Sequence, residues 1–94
     1  MSKAAQIPGP EQGFTSRVWK VLGASTEPVT VDGKTELGPA RDGYRVHGGE
    51  IRCAALLQKM ELVEVESLSA GRRITRATKR GCAMYGAFLQ SRAD

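Results

Sequence analysis

The 94-residue sequence contains few aromatic side chains, and this scarcity limits the kinds of ligand that the protein can bind. Phe, Trp and Tyr together make up 5% of the residues. Proteins that bind single-stranded nucleic acid stack successive bases on aromatic side chains. The composition therefore argues against a single-strand binder.

Cysteine and histidine are also rare, with two Cys and one His in the chain. Cys53 and Cys82 fall inside predicted helices and form no zinc-ligand pattern, so we expect two buried thiols and no metal site. His47 has no cysteine or carboxylate partner evident in the sequence, so we expect it to be structural or exposed to solvent. Paired carboxylates, a nucleophile–base set and a glycine-rich phosphate loop are also missing. We therefore expect neither an enzyme nor a bound cofactor.

Long apolar runs are absent from the sequence. A helix that spans a membrane needs about 20 predominantly apolar residues, and the N-terminus shows no secretory apolar segment. We therefore expect a cytoplasmic protein without a membrane partner.

Basic residues exceed acidic ones, giving a formal net charge of +4 and a pI near 9.4. This excess favours an anionic partner such as nucleic acid. Residues 72–80 contain five cations and no acid, whereas residues 50–66 contain more acidic than basic side chains. The five cations are Arg72, Arg73, Arg76, Lys79 and Arg80. The sequence thus predicts that the positive field is concentrated at the end of a hairpin and at the start of the last helix.

The first half of the central segment, residues 49–75, has the apolar spacing of an amphipathic helix. Apolar side chains recur on one helical face and predict a helix over residues 50–61; they are Cys53, Leu56, Leu57 and Met60. The opposite, outward face carries small and polar residues, which suit entry into a major groove about 12 Å wide; they are Arg52, Ala55, Gln58 and Lys59.

The second half of that segment predicts an antiparallel β-hairpin over residues 62–75. Apolar and acidic residues alternate from Val63 to Glu66, which is typical of a half-buried strand. A turn at residues 69–71 precedes a returning strand in which Ile74 is expected to point inward. Arg72 and Arg73 either face an anionic ligand or pair across the strands with Glu64 or Glu66, and the sequence leaves both alternatives open.

The flanking segments complete a single domain over residues 14–92. Residues 1–13 have no periodicity and are expected to form a disordered, dispensable arm. A first helix over residues 14–22 begins at a cap formed by Thr15 or Ser16 and ends at Gly23. A last helix over residues 76–92 contains Gly81 and Gly86, which suggest close approach to a neighbouring element.

Residues 25–46 are the segment that is hardest to assign. Residues 28–31 have the composition of a short strand that would pair with the hairpin as its third strand. A second helix should follow, although Gly costs about 1 kcal/mol and Pro about 3 kcal/mol in a helix interior. We therefore expect either a short, irregular helix or an elaborated loop in this segment.

The C-terminal half, about residues 49–90, resembles the winged helix-turn-helix domains of MarR- and PadR-like transcription regulators. The resemblance lies in AALLQKMELVEVE, a helix that runs into a strand, and in RRITRATKRGCAMYGAFLQ, a strand followed by a T-x-x-G helix start. It implies an α+β fold with about three to four helices and a small antiparallel hairpin, the wing. It also implies that Arg52, Gln58 and Lys59 face the major groove and that Arg72 and Arg73 contact the DNA backbone.

Two classes of function are compatible with these features. The first is a small regulator that binds double-stranded DNA, with a homodimer as one of its expected states; Arg76, Lys79 and Arg80 would then extend the basic contact surface. The second is a winged-helix protein-interaction module without affinity for DNA, because a fold does not fix a function by itself.

Overall fold

The protein has an α+β fold with three helices and two small antiparallel sheets. The structure, a computed structural model, describes residues 14–93, so the arm predicted over residues 1–13 lies outside the described residues. The elements are α1 (Ser16–Ala24), β1 (Thr26–Val31), β2 (Lys34–Pro39), β3 (Tyr44–Arg45), α2 (Ile51–Lys59), β4 (Val63–Ser67), β5 (Arg73–Ala77) and α3 (Lys79–Ala93). Strands β1 and β2 form one sheet, and the other has the order β3-β5-β4.

Helix α1 begins and buries its apolar face largely as the sequence predicts. The Thr15 hydroxyl accepts a hydrogen bond from the backbone N–H of Val18, which caps the first turn. Val18, Val21 and Leu22 are buried in the core. The prediction that Gly23 ends the helix was wrong, because α1 continues to Ala24 and the Tyr85 ring packs where a side chain at position 23 would stand.

The segment over residues 25–46 is neither a helix nor a loop but a β-hairpin, β1–β2, followed by the short strand β3. Asp32 and Gly33 adopt φ angles of 53° and 80°, the left-handed pair of a two-residue hairpin turn. Strand β1, which contains residues 28–31, pairs with β2 and not with the β4–β5 hairpin as predicted. The third strand beside β5 is β3. A single α-helix, α2, lies between β3 and β4, so this part of the chain does not form the predicted second helix.

Prolines protect the two outer edges of the β1–β2 hairpin. In a hairpin closed by a two-residue turn, the pair next to the turn is hydrogen-bonded and alternate pairs are not. Pro28 and Pro39 both occupy non-hydrogen-bonded positions in this register, so each outer edge lacks one N–H donor. This arrangement disfavours pairing with a strand of another molecule.

The central helix and β4 agree with the predicted pattern. Cys53 and Leu57 are buried, Leu56 and Met60 pack against the core, and Ala54 joins the buried face. Val63 is buried and Val65 is half-buried, while Glu64 and Glu66 are exposed.

The side chains of the returning strand β5 face the opposite sides of the sheet from those predicted. The register pairs Val65 with Thr75, which places Thr75 and not Ile74 on the core side. Thr75 is 0% exposed, and Ile74 lies on the outer face. The prediction of an inward Ile74 was wrong. It rested on the apolar character of Ile74, and the sequence does not show that the Thr75 hydroxyl has a hydrogen-bond partner in the core.

That partner is Ser25, the residue that follows α1. The Ser25 hydroxyl donates to the carbonyl of Val21 at 2.8 Å and lies 2.6 Å from the Thr75 hydroxyl. Because a serine hydroxyl has one proton, Thr75 donates to Ser25. The Ser25 carbonyl also accepts the backbone N–H groups of Ala40 and Ala77, which joins the end of β2 to β5.

The T-x-x-G sequence at the start of α3 has a direct structural explanation. The Thr78 hydroxyl accepts the N–H of Gly81 and donates to the carbonyl of Glu61, which caps α3 and ties it to the loop after α2. Gly81 packs against the backbone carbonyl of Leu62 so closely that no side chain fits, which confirms the close approach predicted there. At Gly86 an added Cβ would lie 3.8 Å from Leu37, an ordinary contact.

Replacing each of these glycines by Ala should separate helix propensity from steric exclusion. Both substitutions favour the helix by up to about 1 kcal/mol. Gly81→Ala should nevertheless lower the free energy of unfolding by about 1–3 kcal/mol, because the Leu62 backbone must move. Gly86→Ala should be neutral or stabilising. Chemical denaturation measures both, and equal effects would contradict the steric explanation.

A double-mutant cycle should isolate the Ser25–Thr75 hydrogen bond. Ser25→Ala leaves the buried Thr75 hydroxyl without an acceptor and should cost about 1–3 kcal/mol. Adding Thr75→Val removes the orphaned hydroxyl, so the double variant should be more stable than the sum of the single effects predicts. Additive unfolding free energies would show that the two hydroxyls do not interact.

Candidate nucleic-acid interface

One face of α2 is exposed along the whole length of the helix. At about 100° per residue, its exposed side chains fall within an arc of roughly 120°; they are Ile51, Arg52, Ala55, Gln58 and Lys59. The three predicted groove-facing residues, Arg52, Gln58 and Lys59, therefore lie on a single exposed face. The small side chain of Ala55 lies at the centre of this face and allows close approach of a ligand.

A buried carboxylate holds the start of α2 in place. Glu50 is the last residue of a 3-10 turn (Gly48–Glu50), and its side chain is 8% exposed. Its Oε1 accepts the Tyr44 hydroxyl at 2.7 Å and the backbone N–H of His47 at 3.1 Å, and Lys20 Nζ lies 3.6 Å from its Oε2. These contacts join β3, α1 and the first turn of α2. The side chain of His47 is exposed, as predicted.

The environment of Glu50 favours its ionised form. Burial by itself would raise the pKa of Glu50, but the hydrogen bonds from Tyr44 and His47, with the positive charge of Lys20, hold the pKa below its usual value. Burial, with the adjacent carboxylate, raises the pKa of Tyr44 to about 12. Tyr44 therefore remains a hydrogen-bond donor to an ionised Glu50 near neutral pH.

The β4–β5 hairpin presents two free arginines at its tip. The backbone N–H of Leu68 donates to the Arg72 carbonyl at 2.7 Å, which closes the five-residue connection. Arg72 and Arg73 are exposed. Within residues 14–91, neither arginine has a carboxylate oxygen within 4.0 Å. The alternative that they pair with Glu64 or Glu66 is therefore not observed.

The cross-strand ion pair is formed by Arg76 instead. Its guanidinium contacts Glu66 Oε1 at 2.8 Å and the carbonyl of Arg41 at 3.3 Å, on the outer face of the sheet. Arg76 is therefore paired with a carboxylate of the fold, although its side chain remains 36% exposed.

Lys79 and Arg80 are exposed, but they are not isolated from acidic groups. They line a shallow depression together with Glu61 and Glu64, so positive and negative charges balance there. The acid-free run of residues 72–80 is thus acid-free in sequence only. Like Arg72 and Arg73, Lys79 and Arg80 have no carboxylate oxygen within 4.0 Å among residues 14–91, but two acidic residues line the same depression.

The predicted contact residues fall at two ends of the sheet. Strand β3 runs beside β5 toward Arg73, where the Val46 N–H donates to the Arg73 carbonyl, and a 3-10 turn then leads into α2. Gln58 lines the depression that contains Lys79 and Arg80, at the Ala77 end. A five-residue strand of about 3.3 Å per residue separates these ends by roughly 13 Å.

A basic residue that the sequence did not single out lies beside the start of α2. Arg17, in the first turn of α1, donates from its guanidinium to the Gly49 carbonyl at 3.2 Å. It shares a cleft with Arg52. The signal was not available in the sequence, because 32 residues separate Arg17 from Gly49.

Comparisons with known proteins add no functional assignment: the chain matches no protein-family model, no curated protein and no solved structure. Across the described residues, no group of three or more His, Cys, Asp or Glu side chains could hold a metal ion. Both Cys53 and Cys82 are buried free thiols, as predicted. No helix in the described part of the chain has the length and apolarity to cross a membrane.

Acid titration should test the role of Glu50. Because folding lowers the pKa of Glu50, its contribution is complete above the usual carboxyl pKa and disappears as the pH falls through the lower value in the folded state. Glu50→Gln should therefore lower the free energy of unfolding by about 1–3 kcal/mol near pH 7. The difference from the original protein should shrink as the pH falls below the usual carboxyl pKa.

Glu36→Gln, which changes an exposed carboxylate on β2, is the matched control and should have little effect on stability. Urea denaturation at several pH values provides the measurement. A destabilisation by Glu50→Gln that does not change with pH would show that the ionised form of Glu50 is not what stabilises the fold.

Proposed function

We propose that this protein is a small winged-helix regulator that binds double-stranded DNA. In this proposal the exposed face of α2 enters the major groove, and the tip of the β4–β5 hairpin lies on the phosphate backbone. The observation that carries the proposal is the exposed tip of the β4–β5 hairpin, where Arg72 and Arg73 have no carboxylate oxygen within 4.0 Å among residues 14–91.

The topology around α2 supports the same proposal. Helix α2 leads into a hairpin whose second strand also pairs with β3, the strand before the helix. This is the arrangement that the resemblance to winged-helix regulators implies. The diameter of a helix with side chains, about 10–12 Å, fits a major groove about 12 Å wide. The unusual feature is that a 3-10 turn and a buried Glu50 precede α2 in place of a second helix.

An interaction module without DNA affinity is the second candidate, and exposed apolar residues favour it. Val29 and Val31 on β1 are 37% and 50% exposed, and Ile51 on the α2 face is 44% exposed. A protein partner would bury these side chains, whereas DNA phosphates would not. The two candidate functions therefore predict a different salt dependence of binding.

Salt dependence of binding to duplex DNA should distinguish the candidates. Each phosphate neutralised contributes about −0.9 to the slope of log affinity against log salt concentration. Replacing both Arg72 and Arg73 by Ala should weaken binding on all sequences and make the slope less negative by about 0.9 for each phosphate that is no longer neutralised. Melting should change little, because exposed charges contribute about 0–1 kcal/mol.

The matched control is Lys79→Ala with Arg80→Ala, which removes the same charge at the other end of the sheet. This double substitution should leave the salt slope nearly unchanged, because Glu61 and Glu64 line the same depression as the two basic side chains. Equal effects of the two double variants would indicate attraction by net charge alone. If the original protein fails to bind duplex DNA at about 50 mM salt, the interaction module is the better proposal.

A further inference from the structure

The cleft between α1 and α2 is lined by two arginines and by no acidic side chain among the described residues. It has a volume of about 580 Å³ and is lined by Thr15, Ser16, Arg17, Gly49, Arg52 and Cys53. A guanidinium offers five N–H donors and no acceptor, in a planar arrangement that matches phosphate oxygens. Thr15 and Ser16, which directly precede Arg17 in the chain, add two hydroxyl donors to the cleft.

Arg17 is held in position without being neutralised. Its guanidinium donates to the Gly49 carbonyl, which is an uncharged acceptor. Within residues 14–91, neither Arg17 nor Arg52 has a carboxylate within 4.0 Å. The cleft therefore carries two positive charges whose remaining donors are available to an anion.

We propose that Arg17 and Arg52 together hold one phosphate group in this cleft. The occupant is a phosphodiester of the duplex whose major groove receives α2, so this identification of the occupant rests on the proposed function. Arg52 lies at the edge of the exposed α2 face, and a backbone phosphate beside the groove is thus the group nearest to it. The cleft then fixes the duplex at the start of α2, and Arg72 and Arg73 fix it at the hairpin tip.

A double-mutant cycle on the salt slope tests whether one phosphate is shared. Arg17→Ala and Arg52→Ala should each weaken duplex binding on the order of tenfold. Each should make the log–log slope less negative by about 0.9, and the double variant should change it by about 0.9 in total rather than twice that amount. Lys34→Ala, which removes an exposed charge at the β1–β2 turn, is the control and should preserve affinity. Additive changes in slope, or an unchanged slope in Arg17→Ala, would overturn the inference.

Titration with inorganic phosphate separates this inference from the proposed function. Phosphate should shift the backbone amide resonances of Arg17, Gly49 and Arg52 in the original protein and not in the double variant. If duplex DNA does not bind but these shifts occur, the proposed function fails and the phosphate site stands. If DNA binds and Arg17→Ala changes neither the slope nor the phosphate shifts, the proposed function stands and this inference fails. If neither DNA binding nor shifts are observed, both fail.

Discussion

The buried hydrogen bonds of Ser25 are the constraint on which the rest of this structure depends. Ser25 is 0% exposed, and its hydroxyl and carbonyl together contact the end of α1, the exit of β2 and two residues of β5. A buried polar group that loses its partner is costly, so these groups allow one arrangement of the three elements. The position of β5 determines that of β3, and β3 leads through a 3-10 turn into α2. One residue at the end of the first helix thus fixes where the candidate interface stands.

The same interior hydrogen bond determines the charge pattern at the surface. Because Thr75 faces Ser25, Ile74 and Arg76 must point to the outer face of the sheet, where Glu66 pairs with Arg76. A shift of one residue in β5 would reverse every side chain in the strand and bring Arg76 toward the core. The register that satisfies a hydroxyl in the core therefore places Arg76 beside Glu66, while Arg72 and Arg73 make no ion pair among residues 14–91.

The sequence predicted the features that depend on neighbouring residues and missed those that depend on distant ones. The buried face of α2, the alternation in β4 and the cap at Thr15 follow from local spacing. The segment after α1 was misassigned because a second helix was expected in it, whereas Asp32-Gly33 closes a hairpin of two six-residue strands. The inward Thr75, the ion pair of Arg76 and the placement of Arg17 beside Arg52 each require a partner more than nine residues away, which periodicity does not contain.

The absence of a second helix before α2 changes how the proposed recognition helix is oriented. In a helix-turn-helix, packing of the preceding helix sets its angle. Here α2 packs on α1 in the core, and polar contacts add to that packing, because Glu50 joins Tyr44 and Lys20 and Arg17 reaches Gly49. Directional hydrogen bonds to a buried charge fix geometry well but depend on ionisation. Stability and the orientation of α2 are therefore coupled through Glu50, whereas the exposed arginines at the hairpin tip make no ion pair among residues 14–91 and contribute little to stability. The buried charge of Glu50 thus orients α2 within the fold. The exposed charges of Arg72 and Arg73 have no such structural role.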